Sequence, residues 1–259
     1  MSTNLRNRHI PSKFREYSCS FALTFPFPAM KNPFGLYLVI TDPVTSYETC
    51  AEAAVRAHLR VIQLRMKRVT REHLLSTAKN LRAITAGTQT LFIVNDEPEV
   101  AVEAGADGVH LGQDDMPIPL ARERFPSLKI FGLSTHSPAQ VEASKKLCPD
   151  YIGVGPVYAT PTKEIPDTTL GLETMSKMLT AAQVPAVAIG GIDAIRLPDV
   201  VRAGAQNFAV VRAVCASTDP YSAIRRLQRI SALAATAAKC NQGNGCDAGK
   251  QTESGRLGN

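Results

Sequence analysis

The stretch LFIVNDEPEVAVEAGADGVHLGQDDMP, Leu91–Pro117, has the form of one strand–helix–strand unit. Leu91–Asn95 is a short apolar run with branched side chains, the composition of a strand covered on both faces. Pro98 suits the first turn of a helix, Val100, Ala101 and Ala104 supply its apolar side, and Gly105 can end it. Gly108–Leu111 is a second short strand. A right-handed crossover makes the two strands parallel, so both carboxyl ends finish on the same edge of the sheet. Asp96 follows the first strand and Asp115 lies shortly after the second. Both carboxylates are therefore expected at the edge where α/β proteins bind ligands.

Two bare carboxylates about 4–5 Å apart repel by roughly 3–4 kcal/mol at an effective dielectric near 20. A divalent cation reverses that sign, and hard oxygen ligands in a partly open site suit Mg²⁺. The competing local reading has Asp96 capping a turn and Asp115 capping a helix that starts near Pro117.

The same pattern extends to either side. Leu36–Thr41, Val61–Met66, Ile130–Ser134, Tyr151–Val154, Ala186–Ile189 and Phe208–Val211 read as further strands. Helices are expected at Tyr47–His58, Arg71–Ile84, Ala139–Leu147, Leu172–Ala182, Ile195–Ala203 and Tyr221–Leu233. This regular alternation predicts an α/β protein with a (β/α)₈ TIM barrel as a single domain, spanning residues 35–237. A doubly wound open sheet is the alternative. Residues 1–34 are basic, rich in Ser, Pro and Phe, and without periodicity. They read as a disordered extension, with a targeting segment, or Met30 as the alternative start, as the other readings. Residues 238–259, rich in Gly, Gln and Asn, read as a disordered tail.

The formal charge of +6 suggests nucleic acid at first sight. However, Arg6, Arg8, Lys13, Arg15 and Lys31 against Glu16 alone concentrate most of it in residues 1–34. The barrel itself is near neutral, which argues against nucleic acid as a partner. No apolar run is long enough to span a bilayer. Cys19, Cys50, Cys148, Cys215, Cys240 and Cys246 show no metal-finger or CxxC spacing, so free thiols in a reducing cytoplasmic setting are expected. Oligomeric state is not readable from these residues.

In VIQLRMK, Gln63, Arg65 and Lys67 occupy alternate positions, which on one strand would aim all three to the same side. Cations directed into a barrel are costly without an anion, so a phosphate group is one reading and a layer of ion pairs is the other. The loop GPVYATPTK adds the Thr160 and Thr162 hydroxyls and the Lys163 ammonium. Gly190 and Gly191 let backbone approach a ligand closely, and the next strand ends at Val211–Arg212. Loops after strands seven and eight form a recurrent phosphate site in such barrels. Two separate anion sites suggest two small phosphorylated substrates. Ser134 can donate to a phosphate. His136 can act as an acid or base or cap a helix, and His110 reads as a hydrogen-bonded interior residue.

Taken together, QLRMK, VND, DGVHLGQDDMP, GLSTHS, GVGPVYATPTK, AIGGI and FAVVRAV, in this order, resemble the thiamine-phosphate synthase family. The resemblance implies an enzyme joining 4-amino-5-hydroxymethyl-2-methylpyrimidine diphosphate to a thiazole phosphate, giving thiamine phosphate and pyrophosphate. It implies that Gln63, Arg65, Lys67, Ser134 and Lys163 hold the diphosphate, with Asn95 on the pyrimidine. It further implies Mg²⁺ on Asp96 and Asp115, and the thiazole phosphate on Thr160, Thr162, Gly191 and the Val211–Arg212 backbone. Arg65, Lys67 and Lys163 would be the catalytic cations. Family members often carry Ser where Arg212 stands. The alternatives are a thiazole tautomerase, which shares the barrel, and a sensor of phosphorylated ligands without catalysis.

Overall fold

A computed structural model describes Met30 and residues 33–160 and 168–243. Eight parallel strands close on themselves in sequence order: β1 (Leu36–Ile40), β2 (Val61–Leu64), β3 (Leu91–Asn95), β4 (Gly108–Leu111), β5 (Ile130–Thr135), β6 (Tyr151–Val154), β7 (Ala186–Ile189) and β8 (Asn207–Val210). The expected (β/α)₈ barrel is therefore the fold, and the open sheet is excluded. The closing seam between β1 and β8 rests on three register pairs, Leu36–Phe208, Tyr37–Ala209 and Leu38–Val210.

Strand alternation divides the apolar residues into two layers. Leu38, Ile62, Val94, Val109, Leu133, Ile152 and Phe208 point outward into the main core under the helices. Tyr37, Val39, Val61, Ile93, Ile130, Tyr151, Val187 and Ala209 fill the barrel interior, where Met30 joins them. Buried on both sides, these strands need apolar residues at nearly every position, hence the runs visible in the sequence.

Local signals place the helices. Ser46, Thr70 and Ser137 accept hydrogen bonds from Thr49, His73 and Gln140 backbone N–H groups, starting α1 (Tyr47–Arg56), α2 (Arg71–Thr85) and α5 (Pro138–Leu147). Pro98 opens α3 (Pro98–Ala104), and Gly105 ends it in the left-handed region. Next come α4 (Ile118–Arg124), α6 (Gly171–Ala181), α7 (Leu197–Arg202), the short α8 (Arg212–Cys215) and α9 (Pro220–Gly243). The last helix passes well beyond the expected Leu233, into the stretch read as tail, because Ala234, Ala235, Ala237 and Ala238 continue its high helix propensity. The expected start of α7 at Ile195 gives way to a turn in which the Asp193 carboxylate accepts from the Ile195 and Arg196 N–H groups.

The expected extension and tail fall largely outside the described residues. Among the described cysteines, Cys50 and Cys215 are free and buried. Cys148 is disulfide-bonded, against the expectation of free thiols throughout. No helix of the described residues is long and apolar enough to cross a membrane.

Candidate active site

The carboxyl ends of the strands surround a cavity lined by Gln63, Arg65, Asn95, Ser134, Thr160, Gly191, Val211 and Arg212, among others. Eight of the expected site residues thus converge on one space. Thr162 and Lys163 lie outside the described residues.

Gln63 is the last inward position of β2 and is buried, its Nε2 donating to the Tyr37 hydroxyl at 2.8 Å. The strand ends at Leu64; Arg65 still faces the same cavity as Gln63, as alternation predicts, whereas Lys67 does not line it. Arg65 anchors through its backbone N–H to the Ile40 carbonyl at 2.9 Å, and its side chain reaches the cavity wall from the loop. The guanidinium has no hydrogen-bond or ion-pair partner among the described residues. A half-buried, unpaired guanidinium at a ligand mouth is an anion site in chemical terms.

Lys67 sits farther out and forms an ion pair with Asp96. The carboxylate of Asp96 is the better covered of the two, 21% exposed against 53% for the lysine. Asp96 takes a left-handed backbone conformation, φ 63°, at the end of β3. Aspartate tolerates that region better than most residues, and such positions collect at functional sites. Asp115 accepts from the Gly112 N–H at 2.7 Å. Burial, then the neighbouring Asp96 carboxylate, raises its pKa, against the lowering effect of the Gly112 bond and Lys67. The two acids therefore meet, as expected of the strand–helix–strand unit. Asp115 does not cap the helix near Pro117, since α4 starts there without a side-chain cap.

No group of three or more His, Cys, Asp or Glu side chains placed to hold a metal ion occurs among the described residues. The two carboxylates would leave most of a hard cation's coordination to water and ligand oxygens, which is the way Mg²⁺ is commonly held.

On the other side of the mouth, Gly190 and Gly191 have φ of 104° and 64°. A Cβ on Gly190 would lie 2.5 Å from the Pro156 Cα, and one on Gly191 2.8 Å from the Ala159 carbonyl oxygen. These glycines let the loop after β6 pack directly on the end of β7, a role beyond ligand approach. The Gly191 carbonyl accepts from Arg196, whose guanidinium also lies over the Tyr158 ring. Arg212, at the start of α8, is exposed and has no partner among the described residues.

His110 is the hydrogen-bonded interior residue expected, with Nδ1 2.9 Å from the Tyr151 hydroxyl and Nε2 2.9 Å from Ser134 Oγ. His136 does not cap α5, since Ser137 does, and its Nδ1 is 2.7 Å from the Gly155 carbonyl oxygen. Sequence reasoning missed Tyr37, Tyr151, Asp193 and Arg196, all of which line the cavity. Period-two counting along β1 and β6 would have turned Tyr37 and Tyr151 inward. Nothing local marks Asp193 and Arg196.

The closed parallel barrel, with a cavity at the carboxyl ends of its strands lined by Arg65 and with the Asp96 and Asp115 carboxyls in the loops after β3 and β4, defines the class: a (β/α)₈ barrel. Residues 36–214 match the family described as thiamine monophosphate synthase. Curated relatives include thiamine-phosphate synthases from Gloeobacter violaceus, 44% identical over 71% of this chain and 54% of that protein, and Archaeoglobus fulgidus, 40% identical over 70% and 85%. Among solved structures, thiamine phosphate pyrophosphorylase from Pyrococcus furiosus superposes with a TM-score of 0.70 at 32% identity, covering 78% of this chain and 96% of that one. The chain belongs to the thiamine monophosphate synthase family. It spans about half the length of several curated relatives it matches, including the Gloeobacter protein at 54%, and most of the Archaeoglobus protein at 85%.

Proposed function

We propose that this barrel joins 4-amino-5-hydroxymethyl-2-methylpyrimidine diphosphate to 4-methyl-5-(2-phosphoethyl)thiazole, or its carboxylated form, releasing pyrophosphate and giving thiamine phosphate. The observation that carries this reading is the Arg65 guanidinium, without a partner among the described residues, sharing one cavity with Ser134, Gln63 and Asn95, together with the Asp96–Asp115 pair in the loops after β3 and β4.

In the reaction the carbon–oxygen bond to the diphosphate breaks, and its electron pair leaves with pyrophosphate. The aminopyrimidine stabilises the cation left behind, and the thiazole nitrogen supplies the pair for the new carbon–nitrogen bond. Arg65 would fork two leaving-group oxygens, and Ser134 would donate to a third. Gln63 would join Arg65 on the diphosphate, and Asn95 would orient the pyrimidine. Thr160, Gly191 and the Val211–Arg212 backbone would hold the thiazole phosphate, so that proximity replaces a protein nucleophile. Thr162 and Lys163 are proposed for the same two phosphate groups on the family resemblance.

Asp96 and Asp115 are the residues that would hold Mg²⁺; burial and then the Asp96 carboxylate raise the Asp115 pKa, and a cation would offset both effects. When bound, the ion would neutralise charge gathering on the leaving group. Lys67, now on Asp96, would then be released to the diphosphate. We read the setting as cytoplasmic, and the chain as a barrel over residues 35–237 between an extension and a tail, with α9 running into the latter.

Incubation of the full chain with both phosphorylated halves and Mg²⁺ tests the reading. Mass detection of thiamine phosphate with one equivalent of pyrophosphate supports it. Tight binding of both halves without product would make the chain a ligand sensor.

A further inference from the structure

Four polar side chains form a continuous line through the barrel interior to Ser134. Gln63 Nε2 donates to Tyr37 Oη at 2.8 Å, and Tyr37 Oη is 2.9 Å from Tyr151 Oη. Tyr151 Oη is 2.9 Å from His110 Nδ1, and His110 Nε2 is 2.9 Å from Ser134 Oγ. Tyr37 and Tyr151 are 2% and 0% exposed, so no solvent serves the middle of the line. Burial also raises both phenol pKa values, which keeps one proton on each oxygen.

One proton per hydroxyl gives such a line only two consistent polarities. If the Gln63 amide donates, Tyr37 must donate to Tyr151 and Tyr151 to His110 Nδ1. His110 then carries its proton on Nε2 and donates to Ser134 Oγ, leaving the Ser134 O–H directed to the cavity. In the reverse polarity His110 is protonated at Nδ1, and the Ser134 proton is used up on Nε2. Ser134 would then turn only lone pairs toward an anion, a repulsive arrangement, because phosphate oxygens only accept. With Gln63 Nε2 turned toward Tyr37 and an anion at the Ser134 end, both ends agree on one direction.

We propose that Gln63, Tyr37, Tyr151 and His110 form a one-way hydrogen-bond chain that holds His110 as its Nε2–H tautomer and presents the Ser134 hydroxyl as a donor to the diphosphate of the substrate. His110 is then a positioning residue, acting through Ser134. One glycine makes room for the line: a Cβ on Gly132 would lie 2.3 Å from Tyr151 Cζ and 2.5 Å from His110 Nδ1, whereas one on Gly153 would touch the imidazole edge only at 3.6 Å. The Ser134 backbone is itself held through its carbonyl by the Gln113 side-chain amide.

The identity of the anion rests on the function proposed above, whereas the tautomer does not. The test uses the full chain labelled with ¹⁵N-histidine, with the His110 signals assigned by their loss in His110→Gln. Two-bond ¹⁵N–¹H correlation at neutral pH should show Nε2 protonated and Nδ1 bare. A dominant Nδ1–H form, or an imidazolium, overturns the proposal. Tyr151→Phe keeps the ring but removes the donor to Nδ1, so it should shift population toward Nδ1–H, and an unmoved tautomer overturns the role of the phenols.

Calorimetry with inorganic pyrophosphate and Mg²⁺ gives the functional readout. His110→Met should weaken binding roughly 10- to 100-fold, the size of a lost hydrogen bond to a charged group. His110→Gln, which keeps an N–H near the Nε2 position, should recover most of that loss. Equal affinity of His110→Met and the unmodified chain overturns the positioning role. A chain with the Nε2–H tautomer and this binding pattern that makes no thiamine phosphate would sink the reaction and leave the hydrogen-bond line standing.

Discussion

Asp115→Asn separates what the paired acids do for folding from what they do for a ligand. The carboxyl has a raised pKa because it is buried and then because Asp96 stands beside it. A folded-state value above the unfolded one means that the group favours folding at low pH, below its ordinary titration range. That contribution is lost as the pH rises through the folded-state value, so at pH 8 the ionised carboxylate opposes folding. Coulomb's law gives roughly 3 kcal/mol for two like charges about 5 Å apart at an effective dielectric near 20. Partial exposure of Asp115 and the adjacent Lys67 reduce this to about 0.5–1 kcal/mol. The amide keeps the acceptor for the Gly112 N–H, so little else changes. In the absence of divalent cations Asp115→Asn should therefore melt about 2 °C higher at pH 8, with the gain vanishing near pH 3. Saturation with Mg²⁺ and pyrophosphate should reverse the order. A ligand at about 100 times its Kd stabilises by about 2.7 kcal/mol, and the variant should miss most of that. Thermal melts at both pH values, with and without Mg²⁺ and pyrophosphate, make the measurement. A variant less stable at every pH, or one that gains the full ligand stabilisation, would refute the reasoning.

Arg65→Ala should leave the urea midpoint within about 0.5 kcal/mol, because the guanidinium holds nothing in the fold, while lowering kcat/KM roughly 100-fold or more. Turnover near that of the unmodified chain would remove Arg65 from the site. Gly132→Ala places a Cβ 2.3 Å from Tyr151 and should cost about 1–3 kcal/mol in overpacking, read by denaturation. An unchanged midpoint would mean that the interior line has room to spare. Asn207→Ala removes the buried acceptor for the Phe34 and Gly35 N–H groups, bonded at 2.8 and 3.1 Å, and should cost about 1–3 kcal/mol. Amide exchange at those two positions should quicken with it, and unaltered protection would contradict the assignment.

The strands could be read from the chain because a parallel sheet buried on both faces leaves composition little freedom. Asp96 and Asp115 could be placed at the same edge because one crossover rule controls both. What the chain alone hid depends on contacts across strands. Lys67 lies past the end of β2, next to Arg68 with φ 57°, so the turn rather than strand alternation decides where its side chain goes. The Tyr37–Tyr151–His110 line needs Gly132 on β5, where a Cβ would meet the Tyr151 and His110 rings. The far end of α9 was obscured by the Gln- and Gly-containing segment that follows its alanines.

The β1–β8 junction bears on the order in which the molecule assembles. Strands separated by about 170 positions must find each other there, the slowest kind of encounter for a folding chain. Tyr37 and Val39 stand on one side of that junction, and Ala209 and Val211 on the other, all bordering the same cavity. A nascent polypeptide thus has no working pocket until its last strand emerges and docks. Any event that parts this junction would abolish ligand binding before it unravels the remaining strands.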